Sequence, residues 1–133
     1  MLTDNSLTFL WVGLGGFLGA NARFWLGFWL ADRLGTAFPY GTLVANALGS
    51  FALAFLLTLL TGRVSAPPGA RPFLAIGFLG AFTTFSSFSY ETLRLLEQND
   101  WGAACLNVAA NTSLGLLGAF LGIVVARWLQ RGG

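Results

Sequence analysis

Residues 80–89 read Gly-Ala-Phe-Thr-Thr-Phe-Ser-Ser-Phe-Ser, in the middle of a stretch that is otherwise apolar enough to cross a membrane. Lipid offers no hydrogen-bond partners, so hydroxyl and backbone groups at this depth must be satisfied inside a protein or along a polar path. Gly weakens helix interiors, and Thr hydroxyls compete for backbone carbonyls. The stretch therefore predicts a broken helix, and passage of an ion is the leading functional hypothesis.

The composition of the whole chain favours a membrane setting. Of its 133 residues, 56% are hydrophobic and 9% are charged, whereas soluble domains carry about 25% charged residues. All seven cations are Arg and lie far apart, so nucleic-acid binding has no electrostatic footprint. The chain contains no His, so zinc hydrolysis and Ser-His catalysis lack their parts, and we expect no enzyme.

Four apolar stretches predict one all-α membrane domain over residues 1–133. The spans lie at about 7–31, 40–61, 72–96 and 101–129, and about 20 residues suffice to cross the hydrocarbon. Both chain ends should lie on one side of the membrane. Arg residues near the span ends divide four to two, namely Arg63, Arg71, Arg127 and Arg131 on the side of the termini against Arg33 and Arg94. This weak bias leaves either orientation open.

Small residues recur at four-residue spacing and predict close helix packing. The pairs are Gly15 with Gly19, Gly16 with Ala20, Ala45 with Gly49, and Gly118 with Gly122. Such pairs let membrane helices approach closely.

The predicted break carries two further hypotheses. Carbonyl oxygens freed between Gly80 and Thr83 could bind a cation, because hard cations prefer oxygen ligands. A kink satisfied by neighbouring Ser and Thr side chains is the alternative. Phe85 and Phe88 share a helical face with Thr84, and the positive edges of their rings could attract an anion weakly. Packing in an apolar core is the alternative for this pair.

Two further spans carry amides: Asn46 in the second, and Asn107 and Asn111 in the fourth. An amide NH2 group supplies the donors that a dehydrating anion needs. Thr42 and Ser50 flank Asn46 at helical spacing, while Thr112 and Ser113 add hydroxyls beside Asn111. Lining of a path and interhelical packing are equally open from these residues alone.

Arg23 in the first span and Glu91 toward the end of the third are charged. Arg23 at a pore mouth would concentrate anions, with snorkelling to the nearer interface as the alternative. For Glu91 a capping or salt-bridging role is favoured.

Three blocks of this sequence resemble the Fluc/CrcB family of fluoride ion channels. They are GGFLGANAR at residues 15–23, GTLVANALGSF at 41–51 and GFLGAFTTFSSFSYE at 77–91. The blocks occur in family order across three of the four predicted spans, and the third is the most specific.

The resemblance implies a fold, partners and a site. The fold is an antiparallel, dual-topology homodimer of four-helix subunits in the cell inner (plasma) membrane, with the third helix broken. Two pores would carry fluoride ions, and a structural Na+ at the two-fold axis would bind the carbonyls of Gly80 and Thr83 from both subunits. Membrane lipid would surround the dimer. The residues that match the family's pathway, with Arg23 near a vestibule, are Phe85, Phe88, Asn46, Ser87, Thr84, Asn107, Asn111 and Arg23.

This chain departs from the family pattern in two spans. Phe24 follows Arg23 where a Tyr is common, and Asn107 and Asn111 occupy places often held by Tyr and Ser.

The functional hypothesis is a passive fluoride-selective channel, which the resemblance implies would protect the cell against fluoride toxicity. A small proton-coupled multidrug or cation exporter is the alternative, but that class needs a membrane-embedded carboxylate, and the first span carries Arg23 instead. A non-transporting scaffold subunit is a third hypothesis, which leaves the donor-rich third span without a role.

Overall fold

The computed structural model describes residues 2–62 and 64–132, which form helices joined by short segments, with no strand among them. In chain order the elements are α1 (Leu2–Leu34), α2 (Tyr40–Leu60), the π segment (Pro72–Leu79), α3 (Gly80–Phe82), α4 (Phe85–Glu97) and α5 (Trp101–Arg131). The prediction of an all-α protein is confirmed. Arg63, which entered the topology count, lies outside the described residues.

Three stretches are long and apolar enough to cross a membrane, namely Tyr40–Leu60, Pro72–Glu97 and Trp101–Arg131. Helix α1 has 33 residues but does not belong to this set. Asn21 and Arg23 in its middle lower its hydropathy. The fold is therefore that of a multi-pass membrane protein with three candidate spans, and a fourth span through α1 stays a prediction.

Glycine permits close contact at the two main helix interfaces, where α5 packs along α2 and α1 packs along the π segment. A Cβ on Gly122 of α5 would overlap the Phe51 carbonyl of α2. A Cβ on Gly19 of α1 would overlap the Phe78 carbonyl of the π segment. Small residues at these positions let helix backbones touch, as their four-residue spacing in the sequence predicts.

Helical geometry is lost at Thr83 and Thr84, between α3 and α4. Both residues are extended, with φ −86° and ψ 155° at Thr83 and φ −154° and ψ 122° at Thr84. The last helical hydrogen bond before them runs from the Thr83 N–H to the Leu79 carbonyl at 3.0 Å. Helix α4 then begins at Phe85, with Thr84 as its N-cap, because the Thr84 Oγ1 accepts from the Ser87 N–H at 3.2 Å.

Two residues with positive φ reverse the chain outside the helices. Gly35, at φ 81°, follows the last residue of α1, and its N–H donates to the Ala31 carbonyl at 2.9 Å. Asn99, at φ 58°, precedes Asp100, whose Oδ1 caps α5 by accepting from the Ala103 N–H at 3.0 Å. The turn between α4 and α5 is therefore short, and the two helices run side by side.

Candidate functional site

The side-chain amide of Asn46 replaces helical hydrogen bonds that are lost at Thr83 and Thr84, the two extended residues here called the interruption. The Thr84 N–H donates to Asn46 Oδ1 at 2.8 Å. Asn46 Nδ2 donates back to the Thr84 carbonyl at 3.0 Å. The backbone N–H and carbonyl of Thr84 are thus both satisfied by one side chain from α2.

A line of hydrogen bonds, here called the amide chain, continues from Asn46 into α5 and back to α4. Asn46 Nδ2 donates to Asn111 Oδ1 at 3.0 Å, and Asn111 Nδ2 donates to Asn107 Oδ1 at 2.9 Å. Asn107 Nδ2 donates to Thr92 Oγ1 at 2.9 Å, and that hydroxyl donates to the Phe88 carbonyl at 2.8 Å. Every bond in the amide chain runs in one direction, and such chains strengthen cooperatively in a low dielectric.

Backbone groups fix the orientation of two amides in this chain, those of Asn46 and Asn111. The Thr84 N–H can only donate, so it must face Asn46 Oδ1. Asn111 Nδ2 also donates to the Asn107 carbonyl at 3.0 Å, and a carbonyl can only accept. Exchanging the oxygen and nitrogen of either amide would set donor against donor or acceptor against acceptor.

A cavity of about 460 Å³, here called the interruption cavity, opens beside Thr83 and Thr84. The rings of Phe85 and Phe88 lie on its wall, with centroids 5.5 Å apart and planes tilted by 52°. Phe85 is 79% exposed, so most of its ring surface is not covered by the described residues. The cavity is therefore lined by both aromatic rings and polar side chains.

The guanidinium of Arg23 is directed at the interruption. Its Nε donates to the Ala81 carbonyl at 3.0 Å, joining α1 to α3. Ala81 lies in the last helical turn before the interruption, where backbone carbonyls have no N–H donor from within the helix. The guanidinium is thereby paired with a backbone oxygen.

The carbonyls of Gly80 and Thr83 also lie at the interruption and have no hydrogen-bond partner among the described residues. The N–H that a continuous helix would direct at the Gly80 carbonyl belongs to Thr84, and it bonds to Asn46 instead. Both residues line the interruption cavity. In the part of the chain that the structure describes, no cluster of three His, Cys, Asp or Glu side chains could hold a metal.

A second cavity, of about 560 Å³, lies where α1 ends and α2 begins, and Glu91 and Arg94 line it. Glu91 Oε1 accepts from Thr42 Oγ1 at 2.8 Å. Glu91 Oε2 is buried and has no partner within residues 2–62 and 64–132. The carboxylate therefore accepts from a hydroxyl of α2. The two residues are 49 positions apart, so spacing along one helix could not have predicted this partner.

The sequence profile of one family, described as CrcB-like protein, Camphor Resistance (CrcB), matches residues 10–123. The chain belongs to the CrcB family. The family resemblance carried by the three sequence blocks is confirmed.

Relatives named "Fluoride-specific ion channel FluC" cover nearly the whole chain. The one from Acidobacterium capsulatum is 45% identical over 90% of this chain and 95% of its own length. Those from Roseiflexus sp. and Magnetococcus marinus are each 48% identical, over 89% and 88% of this chain respectively and 95% of their own lengths.

This CrcB-family chain brings most of the predicted pathway residues to the interruption cavity. Its wall includes Asn46, Thr84, Phe85, Phe88 and Asn111. Three others lie elsewhere. Asn107 is fully buried within the amide chain, Ser87 accepts from the Thr84 hydroxyl at 3.2 Å, and Arg23 lies at Ala81.

The sequence analysis missed Thr92 and Ala81 as parts of this CrcB-family site. Thr92 lies four residues after Phe88 and four before Leu96. This spacing predicts which face of its own helix Thr92 shares, but it does not predict that Thr92 meets Asn107 of α5. No signal in the sequence distinguishes the Ala81 carbonyl from its neighbours. Ser50 and Thr112, which the analysis noted only as flanking hydroxyls, both line the interruption cavity.

Proposed function

We propose that this chain forms a fluoride-selective channel that passively exports fluoride across the cell membrane and so protects against fluoride toxicity. The observation that carries the proposal is the interruption cavity, which is lined by aromatic rings together with polar donors beside the non-helical residues of a candidate membrane span. Relatives at 45–48% identity carry the name "Fluoride-specific ion channel FluC". Fluoride is the substrate that this family membership supports.

The charges near the interruption suit an anion. Helix α4 begins at Phe85, and the first N–H groups of a helix form its positive end. Arg23 places a permanent cation at the Ala81 carbonyl, and Ala81 lies four residues before Phe85 in the sequence. Ring edges and neutral donors attract an anion without the deep trap of a bare charge, which conduction requires.

Efflux from liposomes tests the proposal. The purified chain is reconstituted, and fluoride loss is followed with an ion-selective electrode beside parallel chloride measurements, with a proton ionophore present. We expect rapid loss of fluoride and negligible loss of chloride. Absence of fluoride loss from folded protein would overturn the proposal.

The exporter alternative is not favoured. Coupled export requires a membrane-embedded carboxylate, and α1 carries Arg23 where that class carries its acid. The Glu91 carboxylate accepts a hydrogen bond from Thr42 beside the cavity where α1 ends and α2 begins. Fluoride loss that is unchanged by a proton gradient would separate a channel from a coupled exporter.

We also propose that α1 forms a fourth span and that two subunits pair antiparallel, with two pores per dimer. An open cavity and the exposed ring of Phe85 are compatible with completion by a second copy. Ser65→Cys in a Cys105→Ala background gives one exposed thiol between α2 and the π segment. An impermeant maleimide should label about half of the chains in intact cells if both orientations occur; labelling of all or none would contradict dual topology.

The carbonyls of Gly80 and Thr83 fit a hard monovalent cation such as Na+, because they are unpaired oxygens beside a cavity. One subunit supplies only two such oxygens, so we propose that a dimer completes the site. A bound Na+ would be coordinated by these oxygens and would hold the two interruptions together. Replacing Na+ by a bulky organic cation during purification should lower the melting temperature of the dimer, and an unchanged melting temperature would contradict the site.

A further inference from the structure

Six residues that line the interruption cavity carry side-chain donors, namely Asn46, Ser50, Thr83, Thr84, Asn111 and Thr112. An anion that enters this cavity loses water and must be met by donors in its place. Whether each donor is free to meet it depends on the hydrogen bonds that it already makes. The six divide clearly into donors that are occupied and donors that are free.

The amide of Asn46 has no free proton. One Nδ2 proton is donated to the Thr84 carbonyl and the other to Asn111 Oδ1, each at 3.0 Å. Asn111 is in the same condition, since its Nδ2 donates to the Asn107 carbonyl and to Asn107 Oδ1. Turning either amide toward an anion would leave its acceptors unpaired in a low dielectric, which is costly.

The two Thr hydroxyls at the interruption are occupied as well. Thr83 Oγ1 donates to the Leu79 carbonyl at 3.0 Å. Thr84 Oγ1 accepts from the Ser87 N–H and lies 3.2 Å from the hydroxyls of both Ser86 and Ser87. Both hydroxyls therefore serve the local backbone.

Ser50 and Thr112 are different, because neither hydroxyl has a hydrogen-bond partner in the part of the chain that the structure describes. Ser50 lies one helical turn after Asn46 on α2, and Thr112 follows Asn111 on α5. Gly115 leaves space beside Ser50, since a Cβ there would lie 3.7 Å from Ser50 Oγ. The two hydroxyls come from different helices and border one cavity.

We propose that the hydroxyls of Ser50 and Thr112 donate to the anion in the interruption cavity, while Asn46 and Asn111 act as a rigid frame that holds the interruption open. A hydroxyl has one rotatable proton and can follow a passing anion without breaking another bond. This inference rests on the proposed function, which supplies the anion. It makes Ser50 and Thr112 determinants of fluoride passage in this chain.

The test compares fluoride efflux from liposomes for the unsubstituted chain and the double variant Ser50→Ala/Thr112→Val, which removes both hydroxyls at nearly constant volume. We expect fluoride loss to slow by about tenfold or more, because two donors to the anion are lost. The double variant Ser50→Thr/Thr112→Ser keeps both hydroxyls and should restore most of the rate. Ser113→Ala is the matched control, since it removes a hydroxyl from an exposed position on the same helix outside the cavity wall.

The outcomes separate this inference from the proposed function. If the unsubstituted chain loses no fluoride, the proposed function fails. If that chain conducts and the Ser50→Ala/Thr112→Val variant matches Ser113→Ala, the hydroxyl assignment is overturned and the channel stands. If the double variant does not purify as the same species as the unsubstituted chain, the single variants decide, and wild-type rates in both would overturn the assignment.

Discussion

Asn46 and Thr84 are paired through both polar groups of the Thr84 backbone, at 2.8 Å and 3.0 Å. The two residues are 38 positions apart in sequence, yet the pair has the geometry of a short stretch of sheet, with a side-chain amide in place of one strand. This pair lets an extended residue persist between two helices in an apolar setting.

Asn46→Leu should destabilise the protein strongly. The substitution leaves the Thr84 N–H, the Thr84 carbonyl and Asn111 Oδ1 without partners, and each unpaired group costs about 1–3 kcal/mol. We expect a clear fall in melting temperature in detergent and slower fluoride efflux. Asn21→Leu is the control, because Asn21 is exposed and makes only a local bond to the Phe17 carbonyl. Equal melting temperatures for the two variants would refute the role of the pair.

Arg23→Met should slow fluoride efflux and lower stability. It removes the hydrogen bond to the Ala81 carbonyl together with a cation close to the interruption. Bonds to charged groups contribute about 1.5–3 kcal/mol, and Arg23→Lys should recover part of the loss because it keeps a charged donor. Arg131→Met, at the exposed end of α5, serves as the comparison. Efflux by Arg23→Met as fast as by Arg131→Met would contradict a role at the interruption.

Gly19→Ala should loosen the contact between α1 and the π segment. The added Cβ would overlap the backbone of Phe78, which cannot move as a side-chain end can. Overpacking of this kind costs about 1–3 kcal/mol, measurable as a lower melting temperature. Gly13→Ala has open space at its Cβ and should be neutral or stabilising by up to about 1 kcal/mol. A Gly19 variant at least as stable as the Gly13 variant would show that the interface is not close-packed.

Phe85→Ile and Phe88→Ile should each slow fluoride efflux while leaving the fold intact. Ile removes the positive ring edge but keeps apolar volume, and Phe85 is so exposed that its loss leaves the packing of the subunit unchanged. Phe120→Ile, on an exposed face of α5, controls for the loss of a ring at the lipid surface. Efflux rates in both variants equal to that of the control would count against the assigned role of the rings.

Much of the fold could be predicted because it depends on local chemistry. Apolar length places helices at Tyr40–Leu60 and Trp101–Arg131 within a few residues of the predicted spans. The run of hydroxyls and glycine drew attention to residues 80–89, and helical geometry is lost there at Thr83 and Thr84. Helix α1 shows the limit, because polar residues within a long helix reduce hydropathy without ending the helix.

The sequence predicted which residues belong to the candidate site, but it did not predict what each of them does there. Residue type and family resemblance pointed to Asn46 and Asn111 as donors to an anion, and both line the cavity. Their protons, however, are used within the amide chain. Asn107 lies in the same chain and is fully buried, whereas Asn111 is half-buried.

The sequence by itself determined that this protein is helical, belongs in a membrane and carries a hydroxyl-rich interruption in its third apolar stretch, because composition and short-range spacing encode these properties. Only the tertiary structure decided which donors are free. Asn46 meets Asn111 across 65 positions and Arg23 meets Ala81 across 58, and no local pattern specifies such partners. A hydrogen bond depends on the separation of two atoms to within a few tenths of an ångström, and that separation exists only after the helices have packed.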